Sequence, residues 1–183
     1  MNSGNEQEIV SLLRNPESRD KGFRMLMDTY KEKIYWYVRR LVVSHEDAED
    51  ILQETFINAY NYAGSFKGSS LLYTWLYRIA TNECIRFFRQ EKRKGIRKVA
   101  VSEKLANEMK DVDPECSEAI LVKFQEAIQQ LPRKQQIVFT MRYYDELNYD
   151  EMSAILKTSV GSLKTNYHYA SEKIKEYLKN QSS

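Results

Sequence analysis

The chain has 183 residues, with 28 basic and 26 acidic side chains, six glycines and three prolines. That length holds one domain or two small ones with their own cores, and an apolar fraction of 42% with a net charge of +2 excludes a wholly disordered chain. So little glycine and proline argues against a many-turned sandwich or barrel, no apolar run approaches the ~20 residues of a membrane span, and MNSGNEQEIV lacks the layout of a secretory signal. The expectation is an all-α protein, cytoplasmic and with no membrane insertion of its own.

In chain order, the first strong helical period runs through Phe23, Leu26, Met27, Tyr30, Ile34, Val38 and Leu41, in steps of three and four. The next helix opens at Ser44, where Asp47 three places on resembles a capping box with Asp in the usual Glu position. Ala48, Ile51, Leu52, Thr55 and Ala59 form its inner stripe. On its other side lie Asp47, Asp50, Glu54 and Asn61, and between His45 and Phe56 five acids occur with no Lys or Arg. Such a face is either a solvated acidic surface or a docking face for a basic partner.

A further helix is predicted to be capped by Ser69-Ser70 and to bury Leu72, Leu76, Ile79, Ala80 and Phe87, with Glu83 interrupting the stripe. A different line runs Trp75, Arg78, Asn82, Arg86, Arg89, Arg93 at helical spacing, so one face carries an aromatic, an amide and four guanidiniums. Arginines neutralise phosphates and release counterions, and an aromatic face can stack on an unpaired base, worth about 1–3 kcal/mol. Trp75 is either such a platform or part of the core; the arginine line favours a nucleic-acid surface.

From Arg78 to Lys98 eight bases stand against two acids, and from Val99 to Ile120 six acids stand against two bases. The near-neutral total therefore hides segregated districts, which implies at least one surface for a polyanion. Residues 99–120 also lose the apolar spacing and contain Asp113-Pro114. They are expected to be an acidic linker between an amino-terminal domain, 1–98, and a carboxy-terminal domain, 121–183.

In the second domain Leu131-Pro132-Arg133-Lys134 starts a helix, with proline near the first position where it is tolerated; Ile137, Val138, Met141 and Tyr144 face inward. A short helix, Asn148 to Leu156, bears Met152, Ile155 and Leu156. Lys157-Thr158-Ser159 form a turn, and a last helix runs from Val160 to about Leu178 with Ser159 as its N-cap. Its buried line is Val160, Leu163, Tyr167, Ala170, Ile174 and Leu178. Two helices across a three-residue turn match a helix-turn-helix, whose second helix enters the major groove by its early residues. The outward early positions are Ser162, Lys164, Thr165, Asn166, His168 and Tyr169. Glu172 and Glu176, further along, would repel phosphate and end the contact. Cys84 and Cys116 form no CxxC and His45 and His168 are far apart, so no metal site and no cofactor are expected.

Together these strings resemble a known family. Asp47-Ala48-Glu49-Asp50-Ile51-Leu52-Gln53-Glu54-Thr55-Phe56 resembles the core-polymerase-binding helix of the extracytoplasmic-function (ECF) RNA polymerase sigma factors. Phe66-Lys67-Gly68, followed by Thr74-Trp75-Leu76-Tyr77-Arg78-Ile79-Ala80-Thr81-Asn82, resembles the family's −10-element segment. Leu131-Pro132, Tyr149-Asp150-Glu151-Met152 and Ser159-Val160-Gly161-Ser162-Leu163-Lys164-Thr165 resemble its −35-reading domain.

The resemblance implies a two-domain initiation factor, with a sigma region 2 domain before the linker and a sigma region 4 helix-turn-helix domain after it. Asp47, Asp50, Gln53 and Glu54 would dock on bacterial core RNA polymerase. Ser65, Phe66 and Lys67, with Asn82, would receive a base extruded from the −10 element of promoter DNA, at a cost of a few kcal/mol. Trp75, Arg78, Arg86, Arg89 and Arg93 would complete that surface, and the last helix would read the −35 duplex. The family commonly has an anti-sigma factor as a further partner.

Five positions depart from the pattern. Asn166, Tyr169 and Ser171 stand where Arg is common, so the reading helix is less basic than usual. Lys157 stands where glycine often makes the turn, so either a left-handed lysine at about 1–3 kcal/mol or a remodelled turn is expected. Arg86 replaces a frequent Asp and is expected to strengthen the basic stripe. One rival is a conventional helix-turn-helix regulator that binds an operator without polymerase; it leaves the TWLYRIA-x-N string and the acidic helix without a role. A nucleic-acid enzyme would need a metal-ligand cluster or a poised nucleophile, and the chain is not expected to be one.

Overall fold

The computed structural model describes residues 3–42, 44–66, 68, 70–93 and 118–181, and among them eight α-helices and no strand occur. The chain divides into two units, Met1–Arg89 and Gln90–Ser183.

The first unit holds α1 (Ser3–Arg14), α2 (Arg19–Leu41), α3 (His45–Tyr62), a single 3-10 turn (Ala63–Ser65) and all but the last turn of α4 (Leu72–Arg93). Helix α1 precedes the first helix that a long apolar period outlines, and its inner face is short: Ile9 and Leu13 are its fully buried apolar residues. It lies close on α2, where a Cβ on Gly22 would stand 2.7 Å from that of Leu12.

Helix α2 buries Leu26, Tyr30, Ile34, Tyr37, Val38 and Leu41, while Phe23 and Met27 are only half-buried, at the edge facing α3. Helix α3 buries the expected Ala48, Ile51, Leu52, Thr55 and Ala59, and Phe56 as well. Ser44 is its N-cap, its Oγ accepting the Asp47 N–H at 3.4 Å.

In α4 the inner stripe departs from expectation. Leu72, Leu76 and Ala80 are buried, but the stripe continues through Cys84 and Phe88, flanked by Tyr73, Tyr77 and Thr81, while Ile79 and Phe87 are half-buried. Successive steps of four keep Phe88 on the inner line, whereas Phe87 is rotated about 100° away from it. The added tyrosines carry a polar seam: the hydroxyls of Tyr37 and Thr81 lie 2.8 Å apart, and Thr81 donates to the Tyr77 carbonyl at 2.7 Å. The Trp75 N–H bonds the Leu71 carbonyl at the helix start; of the expected Ser69-Ser70 cap, Ser69 lies outside the described residues. Cys84 is a buried free thiol, and Cys116 lies outside the described residues.

The second unit contains α5 (Glu118–Gln130), α6 (Arg133–Tyr143), α7 (Tyr149–Leu156) and α8 (Val160–Asn180). Helix α5 begins inside the stretch expected to be linker, and the rest of that stretch, 99–117, lies outside the described residues. Pro132 is the N-cap of α6 at φ −54° and ψ 140°, one place before the first helical residue. Helix α8 packs on α5, α6 and α7, over a core of Ala127, Ile128, Leu131, Phe139, Ala170 and Ile174. Tyr144, Val160, Tyr167 and Leu178 are half-buried rather than inside.

Helix α7 is fixed at both ends. Asn148 and Glu151 form a reciprocal capping box, with bonds of 2.9 and 2.8 Å. At its other end Lys157 takes the left-handed conformation, φ 53° and ψ 41°, its N–H bonded to the Ser153 carbonyl. The turn is therefore not remodelled; a lysine occupies the left-handed position. Ser159 then caps α8, its Oγ accepting the Ser162 N–H at 3.3 Å.

Candidate functional site

On α3, Asp50, Gln53 and Glu54 are exposed and Asp47, in the first turn, is half-buried. The four thus share the outer side of one helix, opposite the stripe that packs on the core. Beside them runs a groove of about 510 Å³ between α2 and α3, lined by Phe23, Met27, Leu52, Gln53, Phe56 and Tyr60 among others. Ile57 and Tyr60 on its rim are 46% and 38% exposed, so the acidic row adjoins uncovered apolar surface. Its signal in the sequence was Ile57 and Tyr60 standing off the inner stripe. The Tyr60 hydroxyl donates to Asp20 at 2.8 Å, and this bond to a carboxylate raises the phenol's pKa.

The 3-10 turn leads from α3 into the segment that resembles the −10 site. Ser65 is exposed, its hydroxyl bonded to the Tyr62 carbonyl at 2.8 Å. Phe66 is buried, and its ring lies 4.9 Å from that of Trp75 at a tilt of 34°. Trp75 is half-buried, so it is neither wholly core nor an open platform: Phe66 packs against its ring. Lys67 lies outside the described residues. Further along α4, Asn82, Arg89 and Arg93 are exposed and Arg78 is half-buried.

Arg86 does not strengthen the basic stripe as expected. Its guanidinium is 2.7 Å from Glu83 and 3.4 Å from Glu54, and Glu83 also accepts from Asn58 at 2.9 Å. The exposed pair with Glu54 contributes about 0–1 kcal/mol to stability, while the side chain of Glu83 is mostly buried; together the two carboxylates offset the charge of Arg86. Glu83, the interruption in the α4 stripe, finds its partners there. The network also links two sets of expected residues, since Glu54 belongs to the acidic face of α3.

On α8, Ser162, Lys164, Thr165, His168 and Tyr169 are exposed and Asn166 is half-buried. The Asn166 amide donates to the Ser162 carbonyl at 2.8 Å, and the Thr165 hydroxyl to that of Gly161 at 3.0 Å. Lys164 lies 5.7 Å from the ring centre of Tyr149 on α7, and the Arg142 guanidinium 5.4 Å from the same centre. Tyr149 is thus an aromatic base for two cations, one of them on α8, and no periodicity in the sequence singles it out. Glu172 pairs with Lys175 at 2.8 Å, a bond that lowers its pKa and keeps a negative charge where the contact was expected to end.

Among the described residues no group of three His, Cys, Asp or Glu side chains is placed to hold a metal ion, and no helix is long and apolar enough to cross a membrane.

Comparison with known proteins accounts for both units. The family described as Sigma-70 region 2 matches residues 26–94, and Sigma-70, region 4 matches residues 121–174. The ECF RNA polymerase sigma factor SigW of Bacillus subtilis (strain 168) is 34% identical over 184 residues, covering 95% of this chain and 98% of the relative. The ECF RNA polymerase sigma-E factor of Escherichia coli (strain K12) is 34% identical over 174 residues, covering 90% and 91%. Two solved structures share the fold. The sigma factor RpoE, in complex with the anti-sigma factor NepR from Bartonella quintana, has a TM-score of 0.68 at 22% identity, covering 87% of this chain and 98% of that one. CnrH, in complex with the cytosolic domain of CnrY, has a TM-score of 0.72 at 17% identity, covering 96% and 98%. Two regions matched in order, and relatives a third identical along nearly their whole length, place the chain in the family of ECF RNA polymerase sigma factors.

Proposed function

We propose that the chain binds bacterial core RNA polymerase through the outer face of α3 and directs transcription initiation at promoters read through two DNA surfaces, one in each unit. The observation that carries the reading is the row Asp50, Gln53, Glu54, two carboxylates and an amide, beside an uncovered apolar groove. A solvated acidic face needs no such groove, whereas a protein-docking face combines an apolar centre with a charged rim. The family is one of non-enzymatic initiation factors, and the reading assigns the chain no reaction chemistry of its own.

The finer assignments follow from charge and exposure. Asp47, Asp50, Gln53 and Glu54 contact the polymerase. Ser65, Phe66 and Lys67, with Asn82, receive an extruded −10 base, while Trp75, Arg78, Arg89 and Arg93 complete the surface along the strand, and Arg86, its charge offset by Glu83 and Glu54, adds little to it. Ser162, Lys164, Thr165, Asn166, His168 and Tyr169 face the −35 duplex. Residues 1–98 and 121–183 form the two domains and 99–120 the acidic linker. The protein works where the polymerase does, in the cytoplasm. An anti-sigma factor is the further partner, a kind of complex in which the RpoE relative was solved.

The test mixes the full chain with bacterial core polymerase and a promoter library. Co-purification with core enzyme and initiation at sites with two separated elements are expected. Protection of a palindromic operator by the protein alone, with no association with core, would establish the regulator instead.

A further inference from the structure

We infer that Arg14, at the end of α1, is a positioning residue for promoter opening, holding the backbone around Phe66 in the conformation that takes a −10 base; this rests on the proposed role of Ser65, Phe66 and Asn82. The Arg14 Nε donates to the Phe66 carbonyl at 3.2 Å, joining residues 52 positions apart in sequence. The same guanidinium covers Gly68, where a Cβ would stand 2.9 Å from Nη2 and where φ is +68°, in the left-handed region. Arg19 does the same on the other side of Phe66: a Cβ on Gly64 would stand 2.9 Å from its Nη2, and its Nε reaches the Leu13 carbonyl at 3.4 Å. Two guanidiniums from the corner between α1 and α2 thus rest on the two glycines that flank the segment.

The corner is itself anchored. Tyr30 on α2 donates a hydrogen bond to the Glu6 carboxylate of α1, and the Ser18 hydroxyl bonds the Leu12 carbonyl at 3.1 Å. Phe66 is therefore held by its carbonyl from α1 and by its ring from Trp75 on α4. A loop held this way need not be ordered when a strand arrives, so binding loses less conformational freedom. Arg14 is itself exposed, so its truncation opens no core. Helix α1 also lies before the residues matched as region 2, which begin at 26.

The test uses holoenzyme assembled from the full chain and core polymerase. Its DNA is a promoter selected by the wild-type holoenzyme from a randomised pool, together with versions altered singly in the −10 or the −35 element. Arg14→Ala is expected to lower open-complex formation about fivefold, the ratio that one net hydrogen bond supports. It should shrink discrimination among −10 variants by a similar factor and leave discrimination among −35 variants unchanged. Arg14→Lys keeps the charge but not the planar fork, and is expected to resemble Ala. Asn82→Ala is run alongside as the check on the −10 site itself. A wild-type Arg14→Lys would make Arg14 a phosphate contact and overturn the inference, as would an even loss across all promoters accompanied by a lower melting temperature. An inert Arg14→Ala beside a defective Asn82→Ala overturns the inference alone; if both are inert, the −10 reading falls and the inference with it.

Discussion

Lys157 closes α7 in the left-handed region, at φ 53° and ψ 41°, and Lys157→Gly is expected to stabilise the helix-turn-helix. A left-handed backbone costs a residue with a Cβ about 1–2 kcal/mol, while glycine gives back about 0.5–1 kcal/mol through the greater freedom of its unfolded chain. The net gain is about 0.5–1 kcal/mol, or about 2–8 °C in Tm for a unit of this size. The bond from the N–H of residue 157 to the Ser153 carbonyl survives the change. Both tryptophans, Trp36 and Trp75, lie in the first unit, so their fluorescence reports that unit alone while far-UV circular dichroism reports both. Urea denaturation followed by the two probes in parallel should show a dichroism transition moved to higher urea and an unmoved fluorescence midpoint. Glu146 also has φ 53°, and Glu146→Gly should add a similar gain. Lys157→Ala, which keeps a Cβ, should add none. A destabilised Lys157→Gly, or an alanine variant gaining as much as the glycine one, would refute the attribution to backbone strain.

Three more expectations concern the proposed surfaces and the anchor of α1. Asp50→Ala with Glu54→Ala should weaken core-polymerase affinity about tenfold, from two exposed charges at up to about 1 kcal/mol each, and leave the melting curve within about 0.5 kcal/mol of wild type; surface-immobilised core enzyme and calorimetry read the two effects. Asn166→Ala should change preference at one −35 position, by about 1–3 kcal/mol of discrimination, rather than weaken all promoters alike in competitive transcription. Burial and the Glu6 carboxylate raise the pKa of Tyr30 above its ordinary value of 10.0, so the folded chain holds that proton after the unfolded chain has released it. This contribution is present below pH 10 and is lost as the pH rises beyond it; Tyr30→Phe should lose about 1 kcal/mol at neutral pH and show a shallower alkaline decline in denaturation midpoints.

The helices with long apolar periods were legible in the sequence, and so was the outward set on α8, because burial of a helix face leaves a repeat of three and four. The far end of the α4 stripe was not legible, since Phe87 and Phe88 are equally apolar and only the neighbouring helices decide which turns in. The residues of helix α1 are not outlined by the sequence, because its two inner residues are too few to make a period. The pairing of Arg86 with Glu54 is a tertiary fact, as Glu54 lies 32 positions away, whereas Glu83 stands three places back on the same helix, a spacing visible in the sequence. A line of arginines on paper records their spacing and not the carboxylates a neighbouring helix brings to them. The left-handed Lys157 was legible as one of two alternatives, and the turn held its shape because Ser153, Ser159 and the packing of α7 on α8 define it from outside.

Helix α4 runs unbroken from Leu72 to Arg93, and an unbroken α-helix is a ruler. At 1.5 Å per residue, Trp75 and Arg89 are about 21 Å apart along its axis, close to six phosphate steps of duplex at about 3.4 Å each. No hinge separates the aromatic end from the cationic end, so neither can move to meet a ligand without carrying the other. A nucleic acid that engages both must supply that separation itself, and the adjustment falls on the strand.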